Sequence, residues 1–314
     1  MVSKRSLIIV PVDGSHETEH TVRYALSIAK QRGADLHAVQ VVRRNGRLWF
    51  APESEKTLRT RLRALRPAAA HVGVFLRIVT LRGTPERVIP AYAQLVAASL
   101  VVVGHHYGSS RLCRNSSVSR RLSRSSPVSV LVVPAGVDAE AQPPNRIVAA
   151  VDLTVASAIA LRTAAGLSNQ HGAHLTILHA MGLPEHMVFS GGEAWRLVQR
   201  LPADAELRSE VLKRTARAHG APNAEPVVAT GDAHRLIVDT VTKSAADLIV
   251  MGVSPRSWMD EIVSGSTLRE VLRHATAPVL VVPVVAGDYE WVDEVQERSG
   301  RIPATADGIA RRAA

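Results

Sequence analysis

The sequence predicts an α/β protein made of two repeated, doubly wound domains, each a five-stranded parallel sheet with helices on both faces. Three observations predict it. Short β-branched apolar runs such as SLIIVPV (Ser6 to Val12) have no polar alternation, as expected of parallel strands buried on both faces. Stretches at helical spacing, opened by Ser, Thr or Pro and closed by Gly, separate these runs. The whole order then occurs a second time, and β-α-β units with right-handed crossovers close into parallel sheets.

Taken in order, the first run ends in Asp13-Gly14-Ser15. Ser15 is the expected N-cap of a helix carrying Val22, Ala25, Leu26 and Ala29, and Gly33 stops it. A second strand is expected over Leu36 to Val42, followed by a helix from Ser54 to Arg66 that Pro67 ends. A third strand, Val74 to Thr80, leads to Gly83-Thr84-Pro85, where Pro suits a helix start, with Val88, Ile89, Tyr92 and Val96 on its apolar face. The fourth strand is Leu100 to Val103 and the fifth Val128 to Val133.

The second copy answers position by position. Asp152 matches Asp13, AHLTILHAM matches ADLHAVQVV, Gly231 matches Gly83, Gly252 matches Gly104, and VLVVP recurs at Val279 to Pro283. The matches before the third strand sit 139 residues apart and those after it 148 or 149, so the second copy is longer between its second and third strands. The Pro/Gln/Ala-rich stretch Gly136 to Asn145 is the linker. We expect domains at 1–140 and 141–287, with a disordered tail from 288 to 314, where Gly, Pro and charge follow no period. Exposed apolar edges invite aggregation, so the two VLVVP strands are expected to pair with each other inside the chain.

Composition narrows the function classes. With 46% hydrophobic and 21% charged residues the chain reads as globular, and no apolar run approaches the roughly 20 residues of a membrane span. The single cysteine, Cys113, excludes an internal disulfide and a CxxC zinc framework, and a cytoplasmic location is expected. Residues 1–140 carry a net +12 and the rest −2. Only 4% of residues are aromatic, which argues against base stacking, and the basic half reads as a solvated face rather than a nucleic-acid surface.

The stretch with the most chemistry is DLIVMGVSPRSWMDEIVSGSTLREVLRHATAPVLVVP, Asp247 to Pro283: a buried strand, Gly252, a loop, then Gly265-Ser266-Thr267 opening a helix. Glycine lets backbone approach an anion, and the free N–H groups of a helix start attract one. The hydroxyls of Ser266 and Thr267 either cap that helix or bond a phosphate oxygen. This stretch resembles the G-x-x-G-x9-G-S/T signature of the universal stress protein family, and the resemblance extends as two fused copies to about residue 286.

The resemblance implies a nucleotide, usually ATP, in the nucleotide-binding members, with adenine held by the strand-one Asp and a residue ending strand two. Carried over, base contacts fall on Asp152 and Ala180, and ribose and phosphate contacts on Gly252, Gly265, Ser266 and Thr267. Pro255 stands where a second Gly is expected and removes one N–H donor. In the first copy the matching positions are Asp13, Val41, Gly104, Ser116 and Ser117, a degenerate site in which Ser-Ser replaces Gly-Ser. Arg111, Arg114, Arg120 and Arg121 offer charge there in place of close backbone approach. The expectation is an adenine nucleotide, with or without magnesium, in the second half of a stress-linked regulator or adaptor that meets a protein partner and leaves a homodimer open. A slow ATP hydrolase and a scaffold without nucleotide are the alternatives. Hydrolysis is disfavoured because neither a second carboxylate nor a Walker A lysine accompanies Asp152. His105-His106 reads as a polar rim rather than a metal site, and Cys113 as a spectator thiol.

Overall fold

The computed structural model describes residues 5–15, 17–42, 54–105, 118–182, 192–254, 264–285 and 288. The chain divides into two compact units, one of residues 1–143 with 275–283 and one of 144–274 with 284–314.

In the first unit the elements run β1 (Leu7–Val12), α1 (Thr18–Arg32), β2 (Asp35–Val42), α2 (Glu55–Ala64), α3 (Arg66–His71), β3 (Leu76–Arg82), α4 (Pro85–Leu95), β4 (Leu100–His105), α5 (Val118–Ser125) and β5 (Val130–Pro134). A strand from the far end of the sequence, β10 (Val279–Pro283), completes it. The strand order is β3-β2-β1-β4-β5-β10. Neighbours from β3 to β5 are parallel, whereas β10 runs antiparallel to β5 with Val279, Leu280 and Val281 opposite Val132, Leu131 and Val130. The two VLVVP segments thus pair with each other, as their matching apolar edges require.

The second unit contains β6 (Arg146–Ala150), α6 (Val155–His171), β7 (His174–Met181), α7 (Gly192–Ala218), β8 (Glu225–Thr230), α8 (Ala233–Ser244), β9 (Leu248–Val253) and α9 (Ser264–His274). Its strands are parallel in the order β9-β6-β7-β8. The α/β class with parallel strands is therefore as the apolar runs predict. Burial follows the same logic: Ile8, Ile9 and Val10 are consecutive and all inaccessible, so β1 is covered on both faces, and Ile147 and Val148 repeat this in β6. On α6, Leu161, Ala164 and Ala165 are buried as Val22, Ala25 and Leu26 are on α1.

Three local expectations need correction. Ser15 does not cap α1, which starts at Thr18 with Glu17 at its N-cap position. The Asp13 Oδ1 instead accepts from the Ser15 N–H at 2.9 Å and the Thr18 hydroxyl at 2.9 Å, with Gly14 at φ 82°, and this turn delays the helix. Pro67 does not simply end a helix: α2 stops at Ala64, and Pro67 occupies the first turn of α3, where its missing N–H costs nothing. The third strand runs two residues later than its apolar run suggests, to Arg82, because the Gly83 N–H bonds the Val42 carbonyl and continues the register with β2. Ser54, Gly33 and Pro85 take their expected places as N-cap, left-handed C-cap and first-turn proline.

Candidate functional site

In each unit the chain builds strands outward on one side of its first strand and then returns to the other side. In the second unit β6 pairs with β7 and with β9, so the strand order reverses there, and the carboxyl ends at such a reversal are where open α/β sheets take ligands. Asp152 lies just past the end of β6, exposed, and Gly252 lies near the end of β9, where Met251 stands opposite Ala150. Ala180, near the end of β7, is half-buried.

The turn after β6 is held by its own residues. The Thr154 N–H (3.1 Å) and hydroxyl (2.6 Å) both donate to Asp152 Oδ1, and the Thr154 Oγ1 caps α6 by accepting from the Ser157 N–H at 3.3 Å. Among the described residues nothing bonds Asp152 Oδ2. Between them Leu153 has φ 64°, the left-handed conformation that Gly14 supplies in the first copy. A branched aliphatic residue pays about 1–2 kcal/mol there. Leu153→Asn, which tolerates this region, is expected to stabilise the fold by about 0.5–1 kcal/mol, read as a higher urea midpoint at constant slope.

Gly252 has a packing reason of its own. A Cβ built on it would lie 2.0 Å from the Ala156 carbonyl oxygen and 2.9 Å from the Ser157 nitrogen, so the first turn of α6 rests directly on the glycine. The helix α9 begins at Ser264, which puts Gly265, Ser266 and Thr267 inside its first turn rather than at its cap. Pro255 and the loop to 263 lie outside the described residues.

Sequence reasoning missed two residues beside this reversal. His179, 5% exposed on β7, places Nδ1 2.7 Å from the Val151 carbonyl, and Arg208 on α7 places Nη1 2.8 Å from its Nε2. A guanidinium has no acceptor, so Nε2 carries the lone pair and Nδ1–H donates. Burial above all, with Arg208 adding to it, holds this imidazole below its ordinary value of 6.5, against the opposite pull of the Val151 bond and Asp152. The register matches could have pointed here: His179 answers to Gln40 at the 139-residue offset, and Gln40 also faces a cluster containing an arginine from the next helix.

In the first unit Asp13 is half-buried and engaged in the turn described above, Val41 is 5% exposed, and Gly104 sits on β4 opposite Val133. Ser116 and Ser117 lie outside the described residues, as do His106, Arg111, Cys113 and Arg114. Arg121 pairs with Glu86 on α4, and His105 Nδ1 is 2.9 Å from the Ser119 hydroxyl. At the carboxyl ends of β2 and β3, Gln40 Nε2 donates to Thr80 Oγ1 at 2.5 Å and to Glu55 at 3.3 Å, and Arg59 donates to the same Thr80 oxygen at 2.7 Å. A cavity of about 400 Å³ elsewhere in this unit is lined by Glu17, His20, Thr21 and the segment from Val133 to Val137, and none of the expected nucleotide contacts borders it.

A sequence model described as the universal stress protein family matches this chain twice, at residues 5–134 and 144–283. The chain belongs to the universal stress protein family. As a tandem universal stress protein it is 27% identical over 141 residues to the universal stress protein A homolog of Haemophilus ducreyi, covering 45% of this chain and 97% of that protein. It is 29% identical over 116 residues to the universal stress protein in the QAH/OAS sulfhydrylase 3′ region of Thermus aquaticus, covering 36% of this chain and 79% of that protein. Among solved structures, a universal stress protein from Archaeoglobus fulgidus superposes with a TM-score of 0.64 at 20% identity, over 89% of this chain and 97% of that one. A universal stress protein from Pseudomonas aeruginosa does so with 0.59 at 18%, over 95% and 99%. These likenesses speak to the fold. No described helix is long and apolar enough to cross a membrane.

Proposed function

We propose that this universal stress protein binds an adenine nucleotide, ATP in the first instance, in its second unit, and works in the cytoplasm as a stress-linked regulator or adaptor through a protein partner. One observation carries the reading: the strand order of the second unit reverses at β6, and Asp152 and Gly252 stand at the two carboxyl ends that flank the reversal. Crevices at such reversals are where open α/β sheets take ligands. Asp152 Oδ1 is engaged by Thr154 while Oδ2 is not, which suits a donor such as the exocyclic amine of adenine. The amino end of α9, with Gly265, Ser266 and Thr267 in its first turn, suits the phosphate chain through its N–H groups and dipole.

Calorimetric titration with ATP tests the assignment. Gly265→Val should weaken binding at least tenfold, about 1.4 kcal/mol, whereas Ser116→Val should change it less than twofold. The reverse result would move the site to the first unit. Steady phosphate release that Asp152→Ala abolishes would point instead to a hydrolase.

A further inference from the structure

We infer that His179 and Arg208 are positioning residues that hold the Asp152 turn in shape for a ligand at the end of β6, an inference that rests on the nucleotide reading above. It starts from a difference between the two copies. The β1–β2 ladder runs through Val12 opposite Gln40, whereas the β6–β7 ladder stops at Ala150 opposite Leu178, one pair short. At that missing pair, Val151 and His179, the backbone still closes on one side, where the Val151 N–H donates to the Leu178 carbonyl at 2.8 Å. On the other side the His179 imidazole takes the Val151 carbonyl, at 2.7 Å. A side chain therefore fixes the peptide that immediately precedes Asp152.

Arg208 completes the device. Its guanidinium donates to Nε2 at 2.8 Å, which selects the tautomer that can donate from Nδ1 to Val151. The first copy shows what else fits: Gln40 occupies the matching strand position, also buried, and Gln likewise has one donor and one acceptor end. In that copy the amide donates to Thr80 and Glu55 instead, and the continuing ladder serves the strand end. The charged groups facing His179 are Arg208 from α7 and Asp152 from the turn after β6. Protonation of Nε2 would remove its lone pair and set two cations against each other, so acidification would release Arg208 while Nδ1–H goes on donating to the Val151 carbonyl.

The test uses the full chain and two readouts. Amide hydrogen exchange at Thr154, whose N–H is held by Asp152, should speed at least tenfold in His179→Leu, with the amides of β1 unchanged as the control for folding, and His179→Gln should restore most of the protection. ATP affinity at pH 7.5 should fall at least fivefold in His179→Leu and recover to within about threefold in His179→Gln. In Arg208→Met, nitrogen-15 spectra of the imidazole should lose the single Nδ1–H tautomer and titrate nearer 6.5. Unchanged exchange in His179→Leu, or an Nε2–H tautomer in wild type, overturns the positioning role. If exchange responds as stated while wild type binds no ATP, the positioning role stands and the nucleotide reading fails.

Discussion

Gly252→Ala should destabilise the second unit by about 3 kcal/mol, a large share of the roughly 5–15 kcal/mol that holds a domain together. The added Cβ would meet only backbone: the Ala156 carbonyl oxygen at 2.0 Å, its carbon at 2.3 Å and the Ser157 nitrogen at 2.9 Å. No rotamer change relieves such contacts, so the first turn of α6 has to lift away from β9. At a urea slope of about 2 kcal/mol per M the midpoint should drop by roughly 1.5 M. A loss under about 0.5 kcal/mol would mean that α6 can shift freely. The same geometry limits what this variant says about ligands, because weaker nucleotide binding would follow from a displaced α6 and its Asp152 turn whether or not Gly252 touches phosphate. Gly265, in the first turn of α9, is the cleaner probe.

Val281→Asp should be comparably severe in the first unit. Val281 is inaccessible at the middle of β10, opposite Val130, and no cation stands opposite it in that ladder. Burying an unpaired carboxylate costs about 4 kcal/mol or more, so β10 should detach rather than retain it. Detachment would uncover β5, whose residues Val130 to Val133 are all at most 6% exposed. A bare apolar edge pairs with other chains, so aggregates in light scattering and a melting temperature lower by about 10 °C are the expected signs. A monodisperse, equally stable variant would show that β10 contributes little.

Much of the architecture is written locally, and some of it is not. Runs such as LIIVPV and LVVV are legible because strands buried on both faces need no polar alternation, and Gly33 and Pro85 mark helix ends through backbone geometry that only they supply at low cost. The pairing of the two VLVVP segments was legible for a negative reason, since neither could be left bare. The start of α1 was not, because Ser15 looks like a cap until Asp13 is seen to take its N–H. Pro67 read as a stop because one proline residue signals the end of one helix and the beginning of the next in the same way. The expected site residues that the structure describes lie at strand ends and in the first turn of α9, as strand–loop–helix spacing implies. His179 and Arg208 escaped because they are 29 residues apart across the longer connection of the second copy, and only packing of α7 on the sheet joins them.

The placement of β10 has a consequence for how the protein is made. The first unit draws on residues 275–283, so it remains one edge short while nearly all of the second copy is being synthesised. An amino-terminal half emerging from the ribosome therefore carries an uncovered β5 edge for that whole interval, in which pairing with other chains competes with the arrival of β10. For the same reason, a gene split at the linker would yield a first fragment whose β5 edge stays bare until the second supplies β10 in trans.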